Sequence, residues 1–377
     1  LFFFWGFITV LNDILIPFLK ESFDLNYTQA MLVQFCFFGA YFIVSPFAGR
    51  LIDKVGYQQG IVIGLLTTAA GCCLFYPSAS LHLYPLFLFG FFVLASGITI
   101  LQVAANPYVA ALGPEKTAAS RLNLAQAANS FGTTVGPIVG AALILGVVAA
   151  DASAVQGPYL MIAALLVVAA IVFRSIKLPV LTHMETEEKA EGSVWEHRHL
   201  VLGALAIFLY VGGEVSIGSF LVNYFSESSI GGLTTAEAGE MVAYYWGAAM
   251  IGRLIGAVLM NYVADTKYLA INAVIAIVMI VVSMNTSGSL AMWSILAVGF
   301  FNSIMFPTIF TLAVKGLGSM TSKGSGFVCQ AIVGGALIPL VQGVAADTMG
   351  IQLSFIVPML CYIYIGWYAL NGAERKA

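Results

Sequence analysis

Apolar runs of about twenty residues, separated by short polar breaks, recur along almost the whole of this chain, and they leave few folds open. A helix needs about 20 residues to cross the roughly 30 Å hydrocarbon core of a bilayer. The first run, LFFFWGFITVLNDILIPFL before Lys20, holds Asp13 as its only charge. Only 9% of the 377 residues are charged and 60% are hydrophobic, whereas soluble domains average about 25% charged. There is too little charge to cover a water-exposed surface, so most of the surface should face lipid. The alternation of about ten residues per span that marks a barrel is absent. The expected class is an all-α polytopic membrane protein.

A net charge of −3 offers no footprint for nucleic acid. The five cysteines (Cys36, Cys72, Cys73, Cys329 and Cys361) all lie in apolar runs, where a thiol is expected to pack rather than react. Leu1 already stands inside the first run, so a missing amino-terminal segment is expected ahead of it.

Twelve spans are expected, near 1–19, 29–49, 58–79, 83–108, 121–148, 157–173, 200–225, 237–260, 268–286, 290–314, 325–345 and 351–371. If alternate connections, starting with the one between spans 2 and 3, face the cytoplasm, they and the tail collect every Lys and Arg of the chain except Lys20. That set is Arg50, Lys54, Lys116, Arg121, Arg174, Lys177, Lys189, Arg198, Arg253, Lys267, Lys315, Lys323, Arg375 and Lys376. The positive-inside rule then places both termini in the cytoplasm. The expected organisation is an N-terminal six-helix half (1–173), a cytoplasmic linker (174–199) and a C-terminal six-helix half (200–377). GRLI recurs at 49–52 and 252–255, and Pro107, Gln126 and Pro137 find counterparts in Pro307, Gln330 and Pro339. Parallel repeats of this kind are a transporter architecture, with the substrate held near the midplane.

Polar residues at membrane depth are the candidates for function. An ionisable residue there marks an ion site, a relay or a substrate contact; the two candidates are Asp13, about 10 Å from the Lys20 end of its helix, and Glu214, near mid-span. Thr99, Gln102 and Asn106 share one helical face, and Asn123, Gln126, Ser130 and Thr133 share another with Asn129 close by. Asn12 and Asn302 add amides in spans 1 and 10. Amides donate and accept at once, as adjacent sugar hydroxyls require, and Trp246 is a candidate ring platform among Trp5, Tyr41, Tyr210 and Tyr245. Interhelical glue is the alternative for any single amide. Carboxylates with amide carbonyls would also suit Na+, so Asp13 and Glu214 are its candidate ligands.

GRLIDKVGYQQG (49–60) joins spans 2 and 3 and resembles the G-x-x-x-D-[RK]-x-G loop of the major facilitator superfamily. That resemblance implies a gating role for Gly49, Arg50 and Asp53, clamping one half against the other. LNDILIP (11–17), FGAYFIVSPFAGRLIDKVGY (38–57), AANPYVAALGP (104–114), RLNLAQAANSFGT (121–133) and FPTIFTLAVKGLG (306–318) resemble the superfamily's fucose–galactose–glucose:cation symporters, and the likeness runs over nearly the whole chain. FITVLNDILIP and VQFCFFGAYF look most like the bacterial glucose/galactose branch.

What the resemblance implies is a major facilitator fold and import of hexoses, glucose or galactose, in symport with a cation. It assigns coupling to Asp13. In the fucose-permease members a second acid stands in helix 4, where this chain has Gln102, which cannot relay a proton; Na+ is therefore favoured over H+. The expectation is a monomer in the inner (plasma) membrane, with no cofactor and no enzymatic activity. Uncoupled sugar diffusion, sugar efflux and a transporter-like sensor are the alternatives.

Overall fold

In hydrocarbon no water is at hand to satisfy the backbone, so a spanning segment must satisfy its own amides, as a helix does. The computed structural model describes residues 1–25, 27–140, 152–179 and 193–373, and among them there is no strand. Six long helices fill the first part: α1 (Phe2–Ser22), α2 (Tyr27–Val55), α3 (Tyr57–Ser80), α4 (Tyr84–Ala111), α5 (Ala118–Gly140) and α6 (Gln156–Ser175). The second part opens with α7 (Arg198–Ser226), α8 (Thr235–Leu259) and α9 (Asp265–Asn285). Its last spans are broken: α10 (Gly288–Asn302) with α11 (Met305–Val314), α12 (Thr321–Gln330) with α13 (Gly334–Met349), and α14 (Ile351–Ser354) with α15 (Ile356–Trp367). Among the described residues, ten stretches are long and apolar enough to cross a membrane. Helix α5 is not among them because its amides and hydroxyls dilute its hydropathy. The end of the fifth expected span (141–148) and most of the 174–199 linker lie outside the described residues.

The stretch expected to be a loop between spans 2 and 3 is helical. Helix α2 runs on to Val55, and only Gly56, at φ 79°, separates it from α3. A glycine tolerates that left-handed conformation, so one residue suffices to turn the chain. Arg50, Asp53 and Lys54 therefore stand on the last turns of a helix. Arg253, assigned above to a cytoplasmic connection, lies inside α8 and is buried.

By contact the chain forms two units: Leu1–Tyr108 with Phe131–Glu191 and Gly316–Gln330, and Val109–Ser130 with Gly192–Lys315 and Ala331–Ala377. Each unit thus includes a short piece from the other half of the sequence. In the first, α12 packs against α2; in the second, the start of α5 packs against α8. Glycines set the closest approaches. A Cβ on Gly49 would stand 2.8 Å from the Ser322 carbonyl oxygen, and one on Gly326 would stand 2.6 Å from that of Ser45.

Prolines shape the same contacts. A proline inside a helix has no N–H to offer the carbonyl four residues earlier. Pro46 inside α2 and Pro107 inside α4 so release the carbonyls of Phe42 and Val103, Pro307 in the first turn of α11 brings no N–H to Ser303, and a side chain takes each of the three carbonyls. Gln330 Nε2 donates to Phe42 at 3.1 Å, Ser325 Oγ to Val103 at 2.9 Å, and Arg253 Nε to Ser303 at 3.1 Å. Ser303 is the residue after α10, so the break in the tenth span is where Arg253 docks.

Candidate functional site

Among the described residues, the expected site residues fall in two polar clusters, one in each unit. In the first, Gln102 on α4 is buried and its Nε2 donates to the Tyr41 hydroxyl of α2 at 2.6 Å. One turn earlier the Thr99 hydroxyl donates to the Ala95 carbonyl of its own helix. One turn later Asn106 is fully buried, and neither atom of its amide has a hydrogen-bond partner among the described residues. A buried amide left unpaired is costly, so Asn106 is a place where a water or a ligand hydroxyl would be well received.

The second cluster gathers on α7, α8, α10, α15 and the first half of α5. Glu214 Oε1 accepts from the Tyr210 hydroxyl at 2.7 Å, one turn earlier on α7. Arg253 Nη2 stands 4.0 Å from the same oxygen, and both side chains are nearly buried, at 11% and 13% exposure. The Arg253 guanidinium also reaches the Gln126 carbonyl at 3.3 Å and the Ser130 hydroxyl. Asn302 Nδ2 donates to the hydroxyls of Tyr245, at 2.7 Å, and Tyr362, at 3.1 Å, while its Oδ1 has no protein partner among the described residues. The Tyr245 ring meets Trp246 edge-on at 5.1 Å. Trp246, half-buried, lies over Gly218, where a Cβ would come within 3.2 Å of the indole.

On α5 the amides divide by depth. Asn123 Nδ2 donates to the Arg253 carbonyl at 2.7 Å, and one turn before it Ser120 Oγ donates to the Ala257 carbonyl at 2.5 Å. Asn123 is thereby engaged in holding α5 on α8. Gln126 is buried, and Asn129 is half-buried further along. Arg121, at the start of α5, donates to the Val109 and Pro114 carbonyls and so folds the end of α4 back onto α5.

The three gating candidates stand at the end of α2. Gly49 abuts the Ser322 backbone of the first turn of α12. Asp53 interacts with the Ser322 hydroxyl and with Lys323, a carboxylate set against a helix amino terminus, where the helix dipole favours it. Arg50 points outward, its guanidinium 5.9 Å from the centre of the Phe47 ring. Asn12 and Asp13 fall within α1, but their side chains lie outside the described residues.

Among the described residues no three His, Cys, Asp or Glu side chains stand together to hold a metal ion. A hard monovalent cation would draw instead on one carboxylate with amide and backbone oxygens. Sequence reasoning brought out Glu214, Asn302 and the α5 amides but missed Arg253, Tyr362, Ser303 and Ser325. The repeated GRLI was the available signal for Arg253, since it sits six residues before the end of α8 rather than beyond it.

A family model described as the Major Facilitator Superfamily matches residues 1–339. The chain is 58% identical over 381 residues to the glucose/galactose transporter of Brucella abortus, covering 99% of this chain and 92% of that protein. It is 35% identical over 402 residues to the L-fucose-proton symporter of Escherichia coli, with 98% and 90% covered. A crystal structure of the major facilitator transporter FucP in the outward conformation superposes with a TM-score of 0.92 at 33% identity, covering 100% of this chain and 97% of that one.

Proposed function

The chain belongs to the major facilitator superfamily, and from that premise we propose that it imports hexoses, glucose or galactose, by symport with a cation through alternating access. It is a multi-pass membrane transporter and not an enzyme. The observation that carries the sugar reading is the pair of buried amide clusters, around Gln102 and around Asn302, in helices whose remaining surface is apolar. The glucose/galactose transporter at 58% identity and the fucose symporter at 35% support the same class of substrate.

In this reading Asn12, Gln102, Asn106, Gln126, Asn129 and Asn302 supply hydrogen bonds to sugar hydroxyls, and Trp246 supplies an apolar face. Asn123, engaged on Arg253, would meet sugar only once α5 leaves α8. Gly49, Arg50 and Asp53 gate the basic end. The cation binds at Asp13 or Glu214 and raises the affinity for sugar, and sugar must then raise the affinity for the cation by the same factor. Na+ is favoured over H+ because Gln102 has no proton to relay. The protein acts as a monomer in the inner membrane with both termini cytoplasmic and needs no cofactor.

Uptake of labelled glucose, galactose and fucose into proteoliposomes, under Na+ and pH gradients imposed separately, tests the reading. A Na+ gradient is expected to drive concentration of glucose or galactose. Asp13→Asn is expected to abolish that concentration while sugar exchange across the membrane persists. Intact gradient-driven accumulation in D13N would remove Asp13 from coupling, and exchange without accumulation in the unmodified protein would make it an uncoupled facilitator.

A further inference from the structure

We propose that Glu214 and Arg253 form a charge-compensated pair whose work is positioning, aiming the guanidinium at α5 and at the break before Pro307, and that the coupling cation is left to Asp13. The inference rests on the cation-coupled reading above and narrows its two acids to one. Glu214 Oε1 faces Arg253 Nη2 at 4.0 Å with both side chains nearly buried. Either charge alone would be costly there, whereas the two together are neutral. A cation entering this place would meet a fixed guanidinium of its own sign, and the low dielectric magnifies that repulsion. The carboxylate is in addition engaged by the Tyr210 hydroxyl at 2.7 Å.

The arginine does what a lysine could not. Its planar fork points donors in several fixed directions at once. From α8 it reaches the Ser303 carbonyl beyond α10 through Nε, and the Gln126 carbonyl and Ser130 hydroxyl of α5 through Nη1. Nη2 is left toward Glu214 of α7. The Ser303 carbonyl lies at the break between α10 and α11, four residues before Pro307, which has no N–H to offer it. Asn123 closes the arrangement by donating to the Arg253 carbonyl at 2.7 Å, so α5 grips the same residue by backbone and side chain. Glu214 thus sets the direction of the side chain that holds α5, from the first half of the sequence, against α8 and α10 of the second.

The test is a double-mutant cycle on the purified, reconstituted protein, with Glu214→Gln, Arg253→Met, both together, and Arg253→Lys. In thermal unfolding each single neutral variant is expected to lower the Tm by about 5 °C or more, and the double by less than either single. A double no more stable than the worse single overturns the pairing. In sugar counterflow each single is expected to lose about tenfold or more, as removal of one partner of a buried pair implies. The double is expected to recover and, decisively, to keep gradient-driven accumulation. A double that exchanges sugar but no longer accumulates it shows Glu214 to be the coupling acid and overturns the proposal. Arg253→Lys keeps the charge and loses the fork, so unimpaired counterflow in that variant would reduce Arg253 to a counter-charge and remove its positioning role. Should neither cation gradient drive accumulation in the unmodified protein, the coupling reading fails by itself, and the thermal cycle still decides the pairing.

Discussion

At the scale of single residues, a buried amide matters through what it leaves unpaired when removed. Asn302 serves two tyrosine hydroxyls, those of Tyr245 and Tyr362. Asn302→Leu would leave both without that donor in a dry place, at a cost of about 1–3 kcal/mol for each group left unsatisfied. The expected outcome is a clearly lower melting temperature in detergent together with weaker sugar binding, measured on the same preparation. If the melting temperature is unchanged, the two hydroxyls do not depend on Asn302. Much at this scale was legible beforehand. Gln102 and Asn302 stood out because an amide in an apolar run must bond to something. Arg253 did not, because a cation near the end of a span reads equally as a side chain snorkelling to the headgroups. Only its four neighbouring partners distinguish the two.

At the scale of elements, carbonyls that prolines leave without an N–H are recruited as binding points for other helices. Pro46, Pro107 and Pro307 were visible in the sequence, and so was the loss of a hydrogen bond at each. Which side chain takes the released carbonyl depends on a helix remote in sequence: Gln330 and Ser325 of α12 for the first two, Arg253 of α8 for the third. Pro307→Ala returns an N–H to the Ser303 carbonyl and competes with Arg253 for it. The expected outcome is a straighter tenth span, a stability changed by no more than about 1 kcal/mol net, the worth of one exchanged hydrogen bond, and turnover reduced several-fold. Slower amide exchange over residues 303–307 with unchanged transport would show that the break matters to structure alone. The extension of α2 through Val55 escaped the sequence for a related reason. Arg50, Asp53 and Lys54 resemble turn residues by charge, yet they suit the last turns of a helix that emerges from the bilayer.

At the scale of the whole molecule, two contacts, one within each unit, each join a helix from the first half of the sequence to a helix from the second. One pairs Gly49 and Asp53 of α2 with Ser322 and Lys323 of α12. The other pairs Ser120, Asn123 and Gln126 of α5 with α8. In the proposed alternating access both would part, so weakening either should shift the same equilibrium. Asp53→Asn and Asn123→Ala are expected each to lower the affinity for sugar offered from the opposite side. Combined, their effects should add in free energy to within about 0.5 kcal/mol, since they share no partner. A double variant no weaker than the stronger single would mean that only one of the two contacts controls opening.

The sequence by itself determined the helical membrane class, the approximate place of the spans and the residues too polar to be there without a reason. Those follow from solvation and from local backbone demand, which act on neighbours in the chain and so leave a periodic trace. The tertiary structure decided which polar groups satisfy one another: that Asn123 holds the Arg253 backbone, that Ser325 takes the Val103 carbonyl, and that Glu214 already has a cation beside it. Those pairings span more than a hundred positions in places, and no period or composition encodes them. They depend on which helices can approach closely: α2 and α12 at Gly49 and Gly326, and α8 and α5 at Gly256, where a Cβ would stand 2.9 Å from Asn123 Nδ2.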